Sequence, residues 1–290
     1  MKKELTINIA VLGTLLLSMI ACNTNNTATV DDRSKDTSKV INQAATTANT
    51  NTAADALPDL LEIGATIKNS GLKFIPGLTN PVSDVSQYNT AFDKEINMGI
   101  YFADLSYCTL NKQNQKSIGY LKAVKTIADD IGIGQIFGSG TFAQRYQANL
   151  DNADSLAAIV ADMQAKADNM LKGGMKRNDM RSVIYSGAWI ENMYIGAKVN
   201  TQSKNNDAGF QVVEQMTLLD NILKVLDGYR SVDQHYQDLY TDLKQIADIY
   251  RAFDEVKNYN PNNQKASSLM NEHAKKLTEL LEALHSKYIK

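Results

Sequence analysis

The feature that most constrains this fold is a stretch at residues 181–199 that leaves no wide polar helix face. On a helix, at about 100° per residue, its apolar side chains point in nearly every direction, and Glu191 shares a line with Ile184 and Ile195. Because such a helix must be enclosed by other helices, the stretch predicts the central helix of the domain. Small residues would let those neighbours approach closely: Gly187, Ala188, Gly196 and Ala197.

The distribution of proline favours an all-α fold. Proline occurs only at Pro58, Pro76, Pro81 and Pro261, so residues 82–260 lack the residue that most disrupts helices. Helical periodicity in this span predicts an array of antiparallel helical hairpins, packed either as a bundle or as a short α-solenoid of the tetratricopeptide type.

A faint internal repeat offers a finer version of this fold. Gly99 aligns with Gly187 at an offset of 88 residues, and Gly119 aligns with Gly209 at an offset of 90. Nearly constant offsets indicate two copies of a three-helix unit, neither of which buries its own apolar faces alone. Short apolar helices also match each other by chance, so a bundle without a repeat stays open.

The amino-terminal residues indicate where the protein is located in the cell rather than how it folds. Lys2 and Lys3 precede an apolar run at residues 5–21, which is typical of a signal peptide covering residues 1–21. The run ends Leu17-Ser18-Met19-Ile20-Ala21-Cys22 and resembles the bacterial lipobox, which implies cleavage before Cys22 and lipidation of its thiol. The alternatives are an ordinary secretory peptide and an uncleaved anchor.

Residues 22–55 are rich in Asn, Thr, Ala, Ser and Asp, with almost no large apolar side chain. Such a segment cannot bury enough surface to order itself, so we expect a disordered tether followed by a single helical domain at residues 56–290. Asn23 follows the lipobox cysteine where an inner-membrane retention signal would have Asp, so the outer membrane is the predicted location, on its periplasmic or surface face.

Charge and cysteine usage exclude other classes of protein. The 30 lysines and arginines nearly balance the 32 aspartates and glutamates, so no nucleic-acid partner is predicted. If Cys22 carries lipid, the second cysteine, Cys108, has no partner for an internal disulfide.

No cofactor, metal or catalytic motif is predicted. The three histidines, His235, His273 and His285, lack the spacing of a metal-binding helix. The glycines at residues 132–140 lack the spacing of a nucleotide-binding loop and indicate a connection between helices. No Gly-x-Ser-x-Gly elbow occurs, so the sequence favours a protein that is not an enzyme.

Two apolar stretches nevertheless carry polar side chains that the pattern places in the core. The repeat superposes Asp104 on Asn192, which suggests that these two groups meet across a helix pair. They form either a hydrogen-bonded network that fixes register or, alternatively, a ligand pocket or an acid–base site. The candidate residues are Asp104, Tyr107, Tyr185, Trp189, Glu191 and Asn192.

The same stretches carry a family resemblance. At Ala103-Asp104-Leu105-Ser106-Tyr107 and Gly187-Ala188-Trp189-Ile190-Glu191, the sequence resembles uncharacterised lipoproteins of Bacteroidota, over residues 88–259. The resemblance implies a location in the cell envelope and a helical fold, and it implies no particular activity or substrate. The leading hypothesis is a membrane-anchored, non-catalytic binding or scaffold protein with an envelope protein as partner. The alternative is a helical-bundle binding protein for a small or apolar ligand.

Overall fold

Regular structure in the described part of the chain is entirely helical, which confirms the all-α prediction. A computed structural model describes Leu57 and residues 73–138, 140–172, 175–202, 212–258 and 271–289. The predictions for residues 1–21, for residues 22–55 and for Cys22 lie outside the described residues. The helices are α1 (Ala91–Leu110), α2 (Asn114–Asp130), α3 (Thr141–Ala148), α4 (Ala153–Leu171), α5 (Met175–Gln202), α6 (Val212–Asp227), α7 (Gln234–Ala252), α8 (Asp254–Lys257) and α9 (Asn271–Tyr288).

Several helices begin at a side chain that caps free backbone N–H groups. Thr90 accepts a hydrogen bond from the N–H of Asp93 at 3.0 Å and starts α1. Asn152 starts α4 in the same way, accepting from Ser155 at 3.0 Å. Each such cap stabilises a helix by about 1 kcal/mol, so local sequence sets where these helices begin.

Helices α1 and α5 form the centre of the fold. Every residue of α1 from Glu95 to Thr109 is buried, as is every residue of α5 from Arg181 to Met193. Helices α2 and α4 pack on α1, whereas α4, α6 and α9 pack on α5. The prediction that residues 181–199 lie in an enclosed central helix is therefore confirmed, and α1 is enclosed in the same way.

The two central helices touch through their backbones at two glycines. A Cβ on Gly99 would lie 1.9 Å from the carbonyl oxygen of Ile184, and a Cβ on Gly187 would lie 2.0 Å from that of Ile96. No side chain can occupy either position unless the backbones separate. The predicted close approach at Gly187 is thus confirmed, and it depends equally on Gly99.

The contacts at this crossing are reciprocal. Ile96 and Ile184 are separated by the same 88 residues as Gly99 and Gly187, so each helix presents the same two positions to the other. Because Tyr107 and Ile195, further along, also share one apolar cluster, α1 and α5 run in parallel. Beyond the crossing the neighbours differ, with α2 on one helix and α9 on the other. The two-copy repeat stays a prediction.

Residues 73–88, called the strap below, run to the start of α1 without α-helix and include a 3₁₀ turn at Val82–Gln87. Leu78, Asn80 and Tyr88 are buried, whereas most other strap residues are at least partly exposed. The turn packs against α2. The strap is therefore a thin cover over the α1–α2 hairpin, attached at a few points.

Candidate functional site

An acid pair lies in the centre of the fold, just past the glycine crossing. Asp104 of α1 and Glu191 of α5 are each 0% exposed, and their carboxyl groups are close enough to affect each other's pKa. Parallel packing of the two helices brings these positions together, because both follow the crossing by about one turn. Two adjacent carboxyl groups without water cannot both carry charge.

The strap supplies the direct hydrogen bonds to this pair. The backbone N–H and the side-chain Nδ2 of Asn80 both donate to Oδ2 of Asp104, at 3.0 and 2.8 Å. Asn80 also interacts with Glu191, and its carbonyl oxygen accepts a hydrogen bond from the Tyr120 hydroxyl at 2.5 Å. The carboxyl groups of Asp104 and Glu191 also interact with each other through a hydrogen bond, which requires a proton on the pair. Asn80 thus seals one side of the pair.

Helix α9 closes the other side through His285. Its Nε2 lies 2.8 Å from Oε2 of Glu191, although neither atom has a partner aligned for a hydrogen bond. The imidazole stacks on the ring of Tyr194, with 3.8 Å between the ring centroids. Four segments of the chain, namely the strap, α1, α5 and α9, therefore meet at one buried group of polar side chains, called the acidic junction below (Asn80, Asp104, Glu191 and His285).

Burial keeps the acidic junction uncharged. Burial, followed by the neighbouring Glu191, raises the pKa of Asp104 well above its ordinary value. Burial raises the pKa of Glu191 to about 8, and it lowers the pKa of His285 to about 4. Near neutral pH both carboxyl groups hold protons and the imidazole holds no charge, since each neutral form avoids the cost of burying an ion.

A second buried polar cluster lies toward the start of α5, and it is fully paired. Nε of Arg181 is 2.8 Å from Oδ1 of Asp168, which also accepts a hydrogen bond from the Tyr185 hydroxyl. Lys172 reaches the other oxygen of Asp168 at 2.6 Å. Burial alone would raise the pKa of Asp168, but the hydrogen bonds from these three partners hold it below its ordinary value. We call this the paired cluster.

The structure divides the predicted site residues among several places. Asp104 and Glu191 come together, and the hydrogen bonds that Asp104 accepts come from Asn80 of the strap, whereas the repeat alignment suggests Asn192 as its partner. Oδ1 of Asn192 is buried without a hydrogen-bond partner. Tyr185 belongs to the paired cluster, and the indole N–H of Trp189 donates to the carbonyl of Gln215 at 3.3 Å.

Tyr107 is also separate from the acid pair. Its hydroxyl donates to the carbonyl oxygen of Lys73 at 2.8 Å and accepts from the N–H of Ile75 at 2.9 Å. It therefore fastens the first part of the strap. The tyrosine was predicted as a site residue, and the structure makes it an attachment point for the segment that covers the site.

Sequence reasoning missed two members of the acidic junction. Asn80 lies in an irregular segment beside Pro81, a context that predicts a turn and gives no sign of a buried contact. His285 follows Leu281 and Leu284 on an amphipathic helix, so its burial was detectable, but its carboxylate partner was not.

Neither a metal site nor a membrane span is evident in this part of the molecule. Among the described residues, no three or more His, Cys, Asp or Glu side chains are arranged to hold a metal ion. Over the same residues, no helix combines the length and apolarity needed to cross a bilayer.

Comparison with known protein families, with curated proteins and with solved structures finds no match to this chain. The chemistry of the acidic junction is consequently the main structural guide to function.

Proposed function

We propose that this chain is a lipid-anchored envelope protein whose helical domain binds a partner without catalysing a reaction. The anchoring part rests on the order of Lys2, Lys3, the apolar run and the lipobox-like residues that end at Cys22. Two or three acyl chains on that cysteine suffice for stable membrane attachment. Asn23 supports an outer-membrane location.

The observation that carries the non-catalytic part is the sealed acidic junction. Asp104 and Glu191 are the candidate acid and base, and neither has exposed surface. A general acid or base must come within hydrogen-bond distance of its substrate, which the strap and α9 prevent while the strap is closed. In the closed domain, a partner must therefore bind the outer surface.

The outer surface favours a polar contact with that partner. Within the described ranges, Val82 and Val232 are the large apolar side chains with substantial exposure, at 44% and 57%. They are isolated residues rather than a contiguous apolar patch. An envelope protein that docks through charged and polar groups suits this surface better than an obligate partner, whose interface would be more hydrophobic.

The anchoring proposal is tested at the two cysteines. Cys22→Ala removes the thiol that would receive the diacylglycerol, so labelled palmitate should enter the wild type and not this variant. Cys108→Ala is the matched control, because Cys108 is buried in α1 and is not available for lipidation. Palmitate labelling of Cys22→Ala, or a wild type recovered without detergent, would contradict the anchor.

The binding proposal is tested by cross-linking in intact cells, followed by detergent extraction and identification of the linked proteins. A specific envelope partner should be recovered with the wild type and lost or reduced with Cys22→Ala, which would leave the domain unanchored. Recovery of the same proteins at the same level from both strains would contradict a partner that the anchored domain selects.

A second candidate function, binding of a small ligand, is favoured by one observation. Oδ1 of Asn192 is buried without a hydrogen-bond partner, and such an atom in a native fold is commonly paired with a water or a ligand. Native mass spectrometry of protein purified from its host tests this. A stoichiometric added mass would support the candidate, and its absence under gentle ionisation would count against it.

A further inference from the structure

The strap is held to the helices by hydrogen bonds to tyrosine hydroxyl groups and to one carboxyl group, together with a few apolar side chains. Tyr101 donates to the carbonyl of Pro81 at 2.7 Å, Tyr107 binds the backbone at Lys73 and Ile75, and Tyr120 donates to Asn80. Apolar attachment is modest: Leu78 and Tyr88 are buried, and the partly buried side chains of Phe74, Ile75 and Val85 pack against the core, with Phe74 stacked on the Tyr107 ring. A segment with few buried apolar contacts opens at low cost compared with a core helix.

Opening the strap would change the acidic junction directly. Asn80 supplies both hydrogen bonds that Asp104 accepts and also interacts with Glu191. When Asn80 leaves, Asp104 loses both donors and water takes their place. A hydrated carboxyl group ionises far more readily than a sealed one, so opening and proton release are linked.

We propose that the strap is a proton-linked lid, which opens without unfolding the helices and does so more readily as the acid pair beneath it ionises. The open form would expose two adjacent carboxylates bordered by the hydroxyl groups of Tyr101, Tyr107 and Tyr120. This inference concerns motion of the domain, and it holds whether or not the chain is lipid-anchored.

The direction of the pH effect follows from the proton balance. In the closed form Glu191 has a pKa of about 8, compared with an ordinary value of 4.5. Between these values the closed form keeps a proton that the open form releases, so rising pH favours opening. Each proton released raises the opening constant roughly tenfold per pH unit. Asp104, whose pKa is raised as well, adds to this slope.

The other groups around the junction do not reverse this effect. Burial raises the pKa of each surrounding tyrosine, to about 12 for Tyr107 and Tyr194, and raises that of the Cys108 thiol to about 12. The pKa of His285 is about 4. These groups therefore keep one protonation state between pH 5 and 8. Charged side chains that act on these groups include Asp84 of the strap, Lys116 of α2, Lys198 of α5 and Glu282 of α9.

Hydrogen exchange of the full-length protein in detergent, followed by mass spectrometry of peptides covering residues 73–81, tests the lid. The hydrogen-bonded amides of Ile75 and Asn80 report its opening. After correction for the intrinsic exchange rate, the opening constant should rise at least roughly tenfold per pH unit between pH 5 and 8. It should also be nearly independent of low urea concentrations, because little surface is exposed.

The double variant Glu191→Gln/Asp104→Asn removes both titrating groups and should abolish the pH slope in the strap. Glu95→Gln is the matched control, because Glu95 is another buried carboxyl with a pKa of about 8, but its charged neighbours are Asp179 and Asp233. Strap opening in this control should keep the wild-type slope.

Two results would overturn the lid. One is exchange of the strap amides only through global unfolding, with the same urea dependence as the amides of α1. The other is a wild-type opening constant that does not change with pH, relative to the capping amide of Ser155, which is bonded to an uncharged Asn152 side chain. Both are measured on the wild type, so they decide the matter even if the double variant does not fold.

Discussion

The paired cluster and the acidic junction both contain buried acids on or against α5, yet they are kept stable in opposite ways. In the paired cluster, the Asp168 carboxylate is matched by Arg181 and Lys172. In the acidic junction, no cation among the described residues is buried beside Asp104 and Glu191, and they are kept neutral by their own protons. The first arrangement is insensitive to pH near neutrality, and the second responds to it.

This difference indicates different roles along one helix. A buried, fully hydrogen-bonded ion pair fixes which residues of α4 and α5 face each other, and breaking it strands a charge. A protonated acid pair can exchange its protons when water reaches it. The start of α5 is thus held rigidly by an ion pair. At the middle of α5, the stability of the packing depends on whether the acid pair is protonated.

The largest expected effect breaks the paired cluster. Arg181→Leu removes the guanidinium and leaves Asp168 buried with Lys172, whose side chain is 44% exposed, as its remaining cation. We expect the free energy of unfolding to fall by about 3–5 kcal/mol, measured by urea denaturation.

The control for this prediction is an ion pair on the surface. Lys125 pairs with Asp129 at 2.5 Å, and both side chains are about half exposed. Lys125→Met should change the free energy of unfolding by less than about 1 kcal/mol. Equal effects of the two substitutions would mean that burial does not distinguish the pairs.

The next largest effect is expected at the glycine crossing, where α1 and α5 pack against each other and so support both clusters. Gly99→Ala would place a methyl group 1.9 Å from the carbonyl oxygen of Ile184, so α1 and α5 must move apart. We expect a loss of at least about 1–3 kcal/mol in the free energy of unfolding. Movement of α1 should also disturb the acid pair that follows the crossing.

Gly119→Ala is the matched control within α2. A Cβ there would meet nothing closer than 3.5 Å, the distance to Cγ1 of Val82. Since alanine favours a helix interior by about 0.5–1 kcal/mol over glycine, this variant should be neutral or more stable than the wild type. A destabilisation as large as that of Gly99→Ala would remove the argument from the crossing.

The pH dependence of global stability should have opposite signs for the two clusters. The folded state holds protons on Glu191 that the unfolded state releases above pH 4.5, so this contribution to stability falls until about pH 8, by roughly 1.4 kcal/mol per unit for a full proton. Asp168, whose folded pKa lies below its ordinary value of 3.8, contributes stability that is lost as pH falls below that value.

Chemical denaturation from pH 3 to pH 9 measures the free energy of unfolding at each pH and so checks both slopes. Glu191→Gln should reduce the alkaline slope, and Glu95→Gln should reduce it separately, since the pKa of Glu95 is also about 8. An alkaline slope unchanged by Glu191→Gln would show that this carboxyl is ionised in the folded protein.

The sequence predicts the arrangement of the central helices better than it predicts which side chains meet in the acidic junction. Apolar side chains all round a helix force enclosure, so the central position of α5 follows from residues 181–199 alone. Glycine at position 187 likewise predicts close approach of a neighbouring helix, although the matching role of Gly99 is seen only in the structure. These inferences succeed because each depends on the composition of one helix.

The partners within the site could not be predicted in the same way. The contact of Glu191 with His285 joins α5 to the last helix, and that of Asp104 with Asn80 joins α1 to an irregular segment. Each contact depends on the tertiary packing of two segments, and the sequence pattern of one segment does not indicate that the other will pack against it. Repeat alignment selected Asn192 because it compares sequence positions, whereas burial of a carboxyl group selects whichever donor the fold brings nearby.

The smallest expected effect sharpens the comparison at the edge of the acidic junction, and it concerns one of the several hydrogen bonds that hold the strap. Tyr120→Phe removes the hydroxyl that donates to the Asn80 carbonyl at 2.5 Å, so the strap should be destabilised by about 1 kcal/mol. Tyr250→Phe is the matched control, because the Tyr250 hydroxyl is buried without a hydrogen-bond partner, and its removal should be neutral or stabilising. Hydrogen exchange should locate the first effect in residues 73–81, with the paired cluster unchanged. If Tyr120→Phe instead weakens the whole fold as much as the strap, the strap and the helices unfold together and the acidic junction is as rigid as the paired cluster.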